Sequence, residues 1–575
     1  MKDTILGKHL EVFSSDRNLD SLPEYKRFCL FVNHNIISRN YVDEFDIEDV
    51  TVDGDADMGI DGVAIIVNGR LVSTIDEFND LKAHCTSYRV SFTFIQSTIS
   101  SNFDSGKIGI FLNGVEAFFN DSIQVRKNNK IQELIEVKNC IYDNFNVRDD
   151  LPSITLHYAT TGSWESPSDI IKLAKNSKDR LDKLNLFSKN EIEFYGNKEL
   201  CNLCKYNSRK IEKTIPISAS VTLPNILSNQ NIKQAFLGFV SARDYIKIIT
   251  NDSGELSRNL FCDNVRDFQG DDNPTNKKIL NTMDSDNERL LLPLLNNGIT
   301  IIADEVHRIS DDFTLENFQI VNGCQTSYIL FEKREKIQDD DTKIVLKIIQ
   351  TTDLEVINKI IEATNSQTEV KQEAFESLRQ FHRNLQEFYK AMEKKVKSPL
   401  YYERRSKEYF NDSQVKQTQV ISLARQIKAY IATEIGQPHN VHRYFGELLS
   451  SNSGKIFKDE KDFGKYFASA YLLNRIEYIL NDLYSEEGIN LKWKFMLAYI
   501  IYGQMKKENG KFDFEKTIAT FDNEQTMKRR IIDIYKVIES IPQSKDFNCT
   551  RSKNFTDILA RHFDIAEPAL QKQRV

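Results

Sequence analysis

The sequence predicts an α/β and α+β multidomain protein: an N-terminal mixed sheet clad by helices, a central α/β core and an all-helical C-terminal region. Three observations lead there. Strand-like and helical patterns alternate through the first 200 residues; between residues 214 and 450 apolar strands end in amide-rich turns; beyond residue 450 only helical periodicity is left. A chain of 575 residues exceeds what one core can organise, and roughly 150 residues per domain gives about three or four units. The expected boundaries are 1–200, a polar linker over 201–213, a core over 214–450 and a helical unit over 451–575.

In the first unit, Pro23 to Ser38 reads as a helix, and Val63 to Val67 with Leu71 to Ile75 as a hairpin across Asn68-Gly69, a turn pair suited to positive φ. Helix over Ile75 to His84, strand over Val90 to Ile95, and helices over Gly106 to Phe119 and Lys130 to Val147 follow. Ser153 to Ala159, Pro167 to Leu186 and Glu191 to Tyr195 then give strand, helix and strand.

Two segments of this unit carry chemistry. Asp57-Met58-Gly59-Ile60-Asp61-Gly62 precedes the hairpin, and Phe94-Ile95-Gln96-Ser97-Thr98 ends the next strand. The pair resembles the Mrr-like branch of the PD-(D/E)xK nucleases, in which an Asp of a GxDG segment and a Glu or Gln followed two places on by Lys close around a metal. That resemblance implies a restriction-endonuclease-like sheet, a catalytic set of Asp61, Gln96 and the lysine position Thr98, with Glu24 from the first helix, and Mg²⁺ (or Mn²⁺) held by Asp61 and Asp57. Phosphodiester cleavage needs a hard oxygen site for such a cation, and residues two apart on a strand share a face. The sequence departs from the pattern at Thr98, which cannot supply positive charge. Another cation such as Lys107 reaching the site, binding without cleavage, and a variant whose lysine was changed all fit. For Asp61 the competing role is that of an ordinary Asp-Gly turn residue.

The central region is organised around Phe318 to Leu330, FQIVNGCQTSYIL. An apolar strand stops at Asn322-Gly323, and a helix starts near Thr326, which points the Asn322 and Gln325 amides and the Thr326 hydroxyl into one space where an anion or ribose can be held. A capped Asn-Gly turn is the plain alternative. Asn296-Asn297-Gly298 precedes a second strand, Ile299 to Ala303, so adjacent strands bring both turns to one edge. Two strand-like runs, Thr214 to Leu223 and Ala235 to Thr250, open this unit; Asn276 to Met283 and Leu354 to Ala363 read as helices, and Ile344 to Gln350 as a strand. Gly323, Asn297, Arg266, Asn365 and Gln367 complete the candidate ligand site, Arg266 as a guanidinium for phosphate oxygens and Asn365 with a helix C-cap as its other role. The strand, polar turn and helix also resemble the ParB-like fold of nucleotide-binding proteins, an analogy over a few residues that implies a nucleotide ligand.

In order, the blocks Asn264-Val265-Arg266-Asp267-Phe268-Gln269-Gly270, Asn296-Asn297-Gly298, Asn322-Gly323, Ala363-Thr364-Asn365-Ser366-Gln367 and Tyr401-Tyr402-Glu403-Arg404-Arg405 resemble the abortive infection phage resistance (AIPR) family over about Phe236 to Leu449. The resemblance implies bacterial defence against phage, with a nuclease-like region ahead of the core in many members.

Tyr401, Tyr402, Arg404 and Arg405 form a basic, aromatic stretch suited to stacking on unpaired bases; a solvated helix end and loop broken by Pro399 is the alternative. Phe375, Leu378, Phe381, Leu385, Phe388 and Met392 recur at helical spacing as a packing stripe, and helices are expected over Val415–Glu434, Phe463–Leu483, Leu491–Lys507, Phe514–Phe521 and Glu524–Ile541. A hydrophobic share of 40%, a charged share of 28% and a net charge of −8 are those of an ordinary soluble chain, so DNA or RNA binding must rest on local patches. Neither a bilayer-length apolar run nor a signal-peptide core is present, which predicts a cytoplasmic protein without membrane partners. Cys201 and Cys204 have metal-ligand spacing, but the nearest HxxH, His439 and His442, is remote, so no zinc is expected. Three functions follow: a metal-dependent nuclease effector with a sensing core, a defence protein that binds nucleic acid or nucleotide without cutting, and an interaction scaffold whose C-terminal helices make a homodimer or larger oligomer.

Overall fold

The computed structural model describes the chain except residues 1–2, 42–44, 53, 83–87, 146–150, 209–211, 224–230, 251–255, 262–273, 338–341, 354–355, 358, 361–362, 364–371, 405–407, 410–411, 413, 444, 453, 458–462, 510–511, 547 and 566–575. The N-terminal unit runs α1 (Thr4–Asp16), α2 (Glu24–Asn40), α3 (Ile47–Val50), β1 (Gly62–Val67), β2 (Arg70–Leu71), α4 (Ile75–Lys82), β3 (Val90–Thr98), α5 (Ser105–Phe119), α6 (Asn129–Asp143), β4 (Ser153–Thr160), α7 (Ser168–Asp182), β5 (Lys189–Tyr195) and α8 (Asn197–Ser208). Its sheet has the order β2-β1-β3-β4-β5; β1 lies antiparallel to β3, and β4 and β5 continue parallel to it. The pleat sorts the strands as alternation demands. Val63, Ile65, Phe92, Phe94, Leu156 and Tyr158 face α5, α6 and α7, and Ala64, Ile95, Ala159 and Tyr195 face α1, α2 and α8.

Helix α8 takes up most of the expected linker. Leu200, Cys201 and Leu203 bury against the α1 and α2 side of the sheet, and a helix with an apolar stripe, although polar overall, reads as a linker when only composition is weighed.

The central sheet contains β6 (Glu212–Pro216), β7 (Ser218–Thr222), β8 (Gln234–Ser241), β9 (Ile299–Ile309), β10 (Asp312–Asn322) and β11 (Lys343–Gln350), in the order β6-β10-β9-β11-β8-β7. Only Ile217 separates β6 from β7, yet they pair at opposite edges. One bent segment therefore joins the two edges, and the sheet rolls on itself. Phe236 of β8 and Phe313 of β10, three strands apart in the order, meet edge to face at 5.0 Å inside the roll. The corner is tight: a Cβ on Gly238 would lie 2.5 Å from the Ile217 side chain and 3.2 Å from the Ser220 backbone.

The expected strand over Ala235 to Thr250 ends at Ser241, whose hydroxyl caps α9 (Ala242–Ile249) by accepting from the Asp244 N–H. Tyr245, Ile248 and Ile249 recur at helical spacing there and are buried. Helices α10 (Pro274–Asp284), α11 (Asp286–Arg289), α12 (Leu292–Leu295) and α13 (Cys324–Glu332) complete the unit.

The helical unit begins earlier than residue 451. In α14 (Gln372–Met392), Phe381, Leu385, Tyr389 and Met392 of the predicted stripe and its neighbours join one core with α15 (Leu423–Thr433), α16 (Phe445–Ser451), α17 (Phe463–Glu487), α18 (Lys494–Asn509), α19 (Phe514–Asp522), α20 (Glu524–Ser540) and α21 (Lys553–His562). The short strands β12 (Tyr401–Tyr402) and β13 (Val420–Ile421) pair with Tyr402 and Ile421 buried in this core, and α15 starts at Leu423 because the Ser422 hydroxyl caps it, not at Val415. No helix among the described residues is long and apolar enough to cross a membrane.

Polar contacts fasten the N-terminal unit to the others. Arg443 grips Asp80 of α4 with two nitrogens, Arg551 pairs with Glu133 of α6, and Lys494 lies between Asp46 and Glu477. Asn18 donates to Thr418 and accepts from Asn481, and Arg89, just before β3, pairs with Glu332 of the central unit. At the roll's corner, Gly238→Ala should destabilise the protein by about 1–3 kcal/mol through overpacking. Gly109→Ala, on α5 where no atom lies within 4 Å of the new Cβ, should be neutral or stabilising by up to about 1 kcal/mol. Urea denaturation midpoints of the two variants check both.

Candidate functional site at the end of the N-terminal sheet

The segment before β1 has an unusual backbone. Gly54, Ala56, Met58 and Gly59 all have positive φ, and for Ala56 and Met58 that conformation costs about 1–2 kcal/mol each unless the surroundings impose it. Helix α5 imposes it. The Met58 carbonyl occupies the place where Gly114 lacks a side chain, 1.9 Å from where a Cβ would stand, and Gly59 lies against Ile110 and Phe111. Asp57 closes the turn by accepting from the Gly59 N–H at 2.8 Å, and Asn128 donates to the Ala56 carbonyl.

This segment delivers Asp61. Its N–H donates to the Ile95 carbonyl, and its own carbonyl accepts from the Val52 N–H and from the buried Asn33 amide of α2. Its carboxylate accepts from the Ser97 N–H at 2.7 Å and the Ser97 hydroxyl at 2.8 Å. Gly62 pairs with Ile95, so Asp61 stands opposite Gln96 at the ladder's mouth; Gln96 pairs with Tyr158 and Tyr158 with Phe194. Acid, amide, phenol and ring thus form one row across four strands.

Two atoms of the row are buried without a hydrogen-bond partner, Gln96 Oε1 and the Tyr158 hydroxyl. Burial, then the charges of Asp104 and Asp61, push the Tyr158 hydroxyl up to about 12, so it is a proton donor at neutral pH. Unsatisfied buried polar atoms cost about 1–3 kcal/mol each, and these two lie in the row that begins at the Asp61 carboxylate. Asp104, which caps α5 through the Lys107 N–H, brings a second acid near Tyr158.

Several predicted residues reach this edge and others do not. Thr98 follows Ser97, half-buried, its hydroxyl accepting from the Ser100 N–H; Lys107 is exposed in the first turn of α5. Glu24 does not converge on Asp61. Helix α2 meets Asp61 at Asn33, nine residues or about 13 Å along the axis, and its other end turns to the helical unit, with Lys26 over the Tyr484 ring. Asp57 serves its own turn, and no group of three His, Cys, Asp or Glu suited to a metal occurs among the described residues. Sequence reasoning missed Ser97, Tyr158 and Asp104. Only Asp104 carries a local signal, as an N-cap three residues before Lys107.

In the central unit the two amide turns converge as expected. Asn296 donates to the buried Thr326 hydroxyl at 2.9 Å and accepts from the Gly298 N–H, while Asn322 accepts from the Gly323 N–H. Gly323, at φ 94°, is pressed against Ile299, which leaves no room for a Cβ. The amides of Asn296 and Asn322 therefore brace the corner; Gln325 is half-buried and Asn297 exposed. Arg266, Asn365, Gln367 and Arg405 lie outside the described residues. Tyr402 is buried and bonds to His382, so its ring is closed to a base; Tyr401 is half-buried against Tyr409, and the Arg404 N–H donates to Glu408. Cys201 and Cys204 lie one turn apart on α8, and His439 contacts Thr556 in the helical unit.

On the other face of the N-terminal sheet, Glu193 accepts from Arg39 at 3.0 Å and from the Tyr195 hydroxyl at 2.5 Å, with His157 Nδ1 3.5 Å away. The His157 ring foremost, then Tyr195 and Arg39, hold the Glu193 carboxyl down to about 2 against the opposing effect of burial.

Together these features define an α/β protein with an acid–amide–phenol row at one end of its N-terminal sheet. Residues 261–546, just under half of the chain, match the AIPR protein family, a span that takes in the central sheet from β9 onward and the helical unit through α20. Over that span the chain is similar to the AIPR family. No curated protein and no solved structure matches the chain.

A lowered folded-state pKa stabilises above the ordinary carboxylate range and is lost as pH falls through it. The Glu193 contribution should therefore disappear between about pH 4.5 and pH 2. In Glu193→Gln the urea midpoint should fall less steeply over that range than in the native chain.

Proposed function

We propose that the protein is an anti-phage defence effector whose N-terminal unit is a metal-dependent, nuclease-like nucleic-acid domain joined to an AIPR core. The observation that carries this reading is Gln96 Oε1, a buried carbonyl oxygen without a hydrogen-bond partner, set opposite Asp61. Support also comes from the strand order β2-β1-β3-β4 with α5 and α6 in the crossover from β3 to parallel β4, and from the segment resembling Mrr-like nucleases lying at the end of β3.

The donor set suits a hard cation. Asp61 and Gln96 would hold Mg²⁺ or Mn²⁺ through oxygen, and an ion of this kind keeps several waters and needs only one or two carboxylates beside substrate phosphate. When bound it would polarise a phosphate and acidify a water. Ser97 aims the Asp61 carboxylate, and the Tyr158 hydroxyl can donate to a phosphate oxygen. Thr98 can donate a hydrogen bond but brings no charge, and this favours a second reading in which the domain binds nucleic acid without cutting it. The central unit would then act as the sensor, its braced turns fixing the geometry of a ligand site at the β9 and β10 ends.

Purified protein is expected to cleave plasmid, phage DNA or RNA with Mg²⁺ or Mn²⁺, and Asp61→Ala to lower the rate by at least about a hundredfold with its melting transition retained. Activity that appears only in Thr98→Lys would establish an assembled site lacking its cation and decide for the second reading. Cleavage untouched by Asp61→Ala would refute the site.

A further inference from the structure

Three loops meet at the end of the sheet where Asp61 and Gln96 stand. Thr161 donates through its N–H to the Ser100 carbonyl and through its hydroxyl to the Ile99 and Ser100 carbonyls, and Asn197 donates to the Gly162 carbonyl. The backbones touch so closely that a Cβ on Gly162 would stand 1.9 Å from the Ser101 carbonyl oxygen, and one on Gly196 2.5 Å from that of Gly162. These contacts interlock the three loops through their backbones.

It presents three rings. Trp164 stacks on Phe194 at 4.4 Å and 17°, and Phe103 lies 4.7 Å from Trp164. Rings that only completed the core would sit beneath it, as Phe92, Phe94 and Phe118 do with no exposure. These three stay half-buried at the rim. Phe194 is the outer member of the row that begins with Asp61, and Tyr158, whose hydroxyl lacks a partner, lies 6.2 Å from Phe103 and 6.5 Å from Phe194. Along the free edge of β5 lies a groove of about 360 Å³ at Ile192, lined by Lys175 and Lys178 of α7, which have no ion-pair partner among the described residues, and by Glu191 and Glu193 of β5, which pair with Lys189 and with Arg39. The fastenings to the other units are made by Asn18, Asp46, Asp80, Arg89 and Glu133, none of which belongs to this platform.

An acid–amide row followed by stacked rings, with Lys175 and Lys178 farther along the edge, is an order of groups that suits a single strand: a phosphate, an unpaired base beside it, and cations near the next phosphate. We propose that Phe103, Trp164 and Phe194 form a stacking shelf for an unpaired base, so that the nucleic acid taken at the Asp61 and Gln96 site is single-stranded. A duplex keeps its bases stacked on each other and cannot use the shelf. The inference rests on the nucleic-acid reading of that site but not on cleavage.

The test uses the full chain in EDTA, where nothing is cut. The chain has two tryptophans, and the difference between native and Trp164→Phe spectra isolates Trp164, since Trp493 is buried in the helical unit. Oligo-dT and oligo-rU should quench Trp164 fluorescence, and a duplex of equal length should not. Trp164→Ala, or Phe103→Leu should the first variant fail to fold, should weaken single-strand binding by about tenfold or more and leave duplex binding unchanged. Binding without quenching, or affinity unaltered by these changes, would overturn the shelf and leave the nuclease reading standing. Quenching in EDTA with no cleavage in Mg²⁺ would do the reverse, and no binding of any strand would remove both.

Discussion

The close passage of the Met58 carbonyl over Gly114 is the constraint on which the site depends. With no side chain at Gly114, α5 can lie directly on the turn from Gly54 to Ile60, and that contact holds Ala56 and Met58 in a conformation they would not adopt alone. The turn in turn sets Asp61 at the ladder's mouth, where Ser97 fixes its carboxylate. A single methyl at Gly114 would have to be accommodated by moving the backbone of either partner, because neither atom at the contact belongs to a flexible side chain.

The same economy of small residues recurs elsewhere. Gly238 lets the central sheet turn its corner at Ile217, Gly323 lets α13 begin beside Ile299, and Gly162 and Gly196 let three loops interlock. At Gly162 and Gly196 backbone meets backbone, whereas at Gly238 and Gly323 the space a side chain would need is filled first by the side chains of Ile217 and Ile299.

Much of this was legible in the sequence. The run Val90 to Ile95 gave all but the last three residues of β3, and helical runs gave α17, α18 and α20 nearly to their ends, whereas the second hairpin strand expected over Leu71 to Ile75 is only Arg70–Leu71, with α4 beginning at Ile75. The convergence of Asn296 with Asn322 and Thr326 also follows from strands that end in amide turns. Other features depend on partners far away in the chain. The join of β6 to β7 across opposite edges depends on pairing with β10 and β8, which no local pattern records, and the apolar stripe of α8 is hidden by a polar composition. Tyr402 looked available for stacking because a YYERR run is polar on average, whereas its burial is decided by His382 and Tyr389. Tyr158 was missed because only tertiary register sets it beside Gln96.

Equilibrium Mn²⁺ binding to the full chain, followed by electron paramagnetic resonance, tests the central claim most directly. The account predicts a site whose affinity falls by at least about tenfold in Asp61→Asn and again in Gln96→Leu, both variants keeping the native melting transition. Mn²⁺ bound with unchanged affinity by both variants would contradict it, because the acid–amide row would then hold no cation.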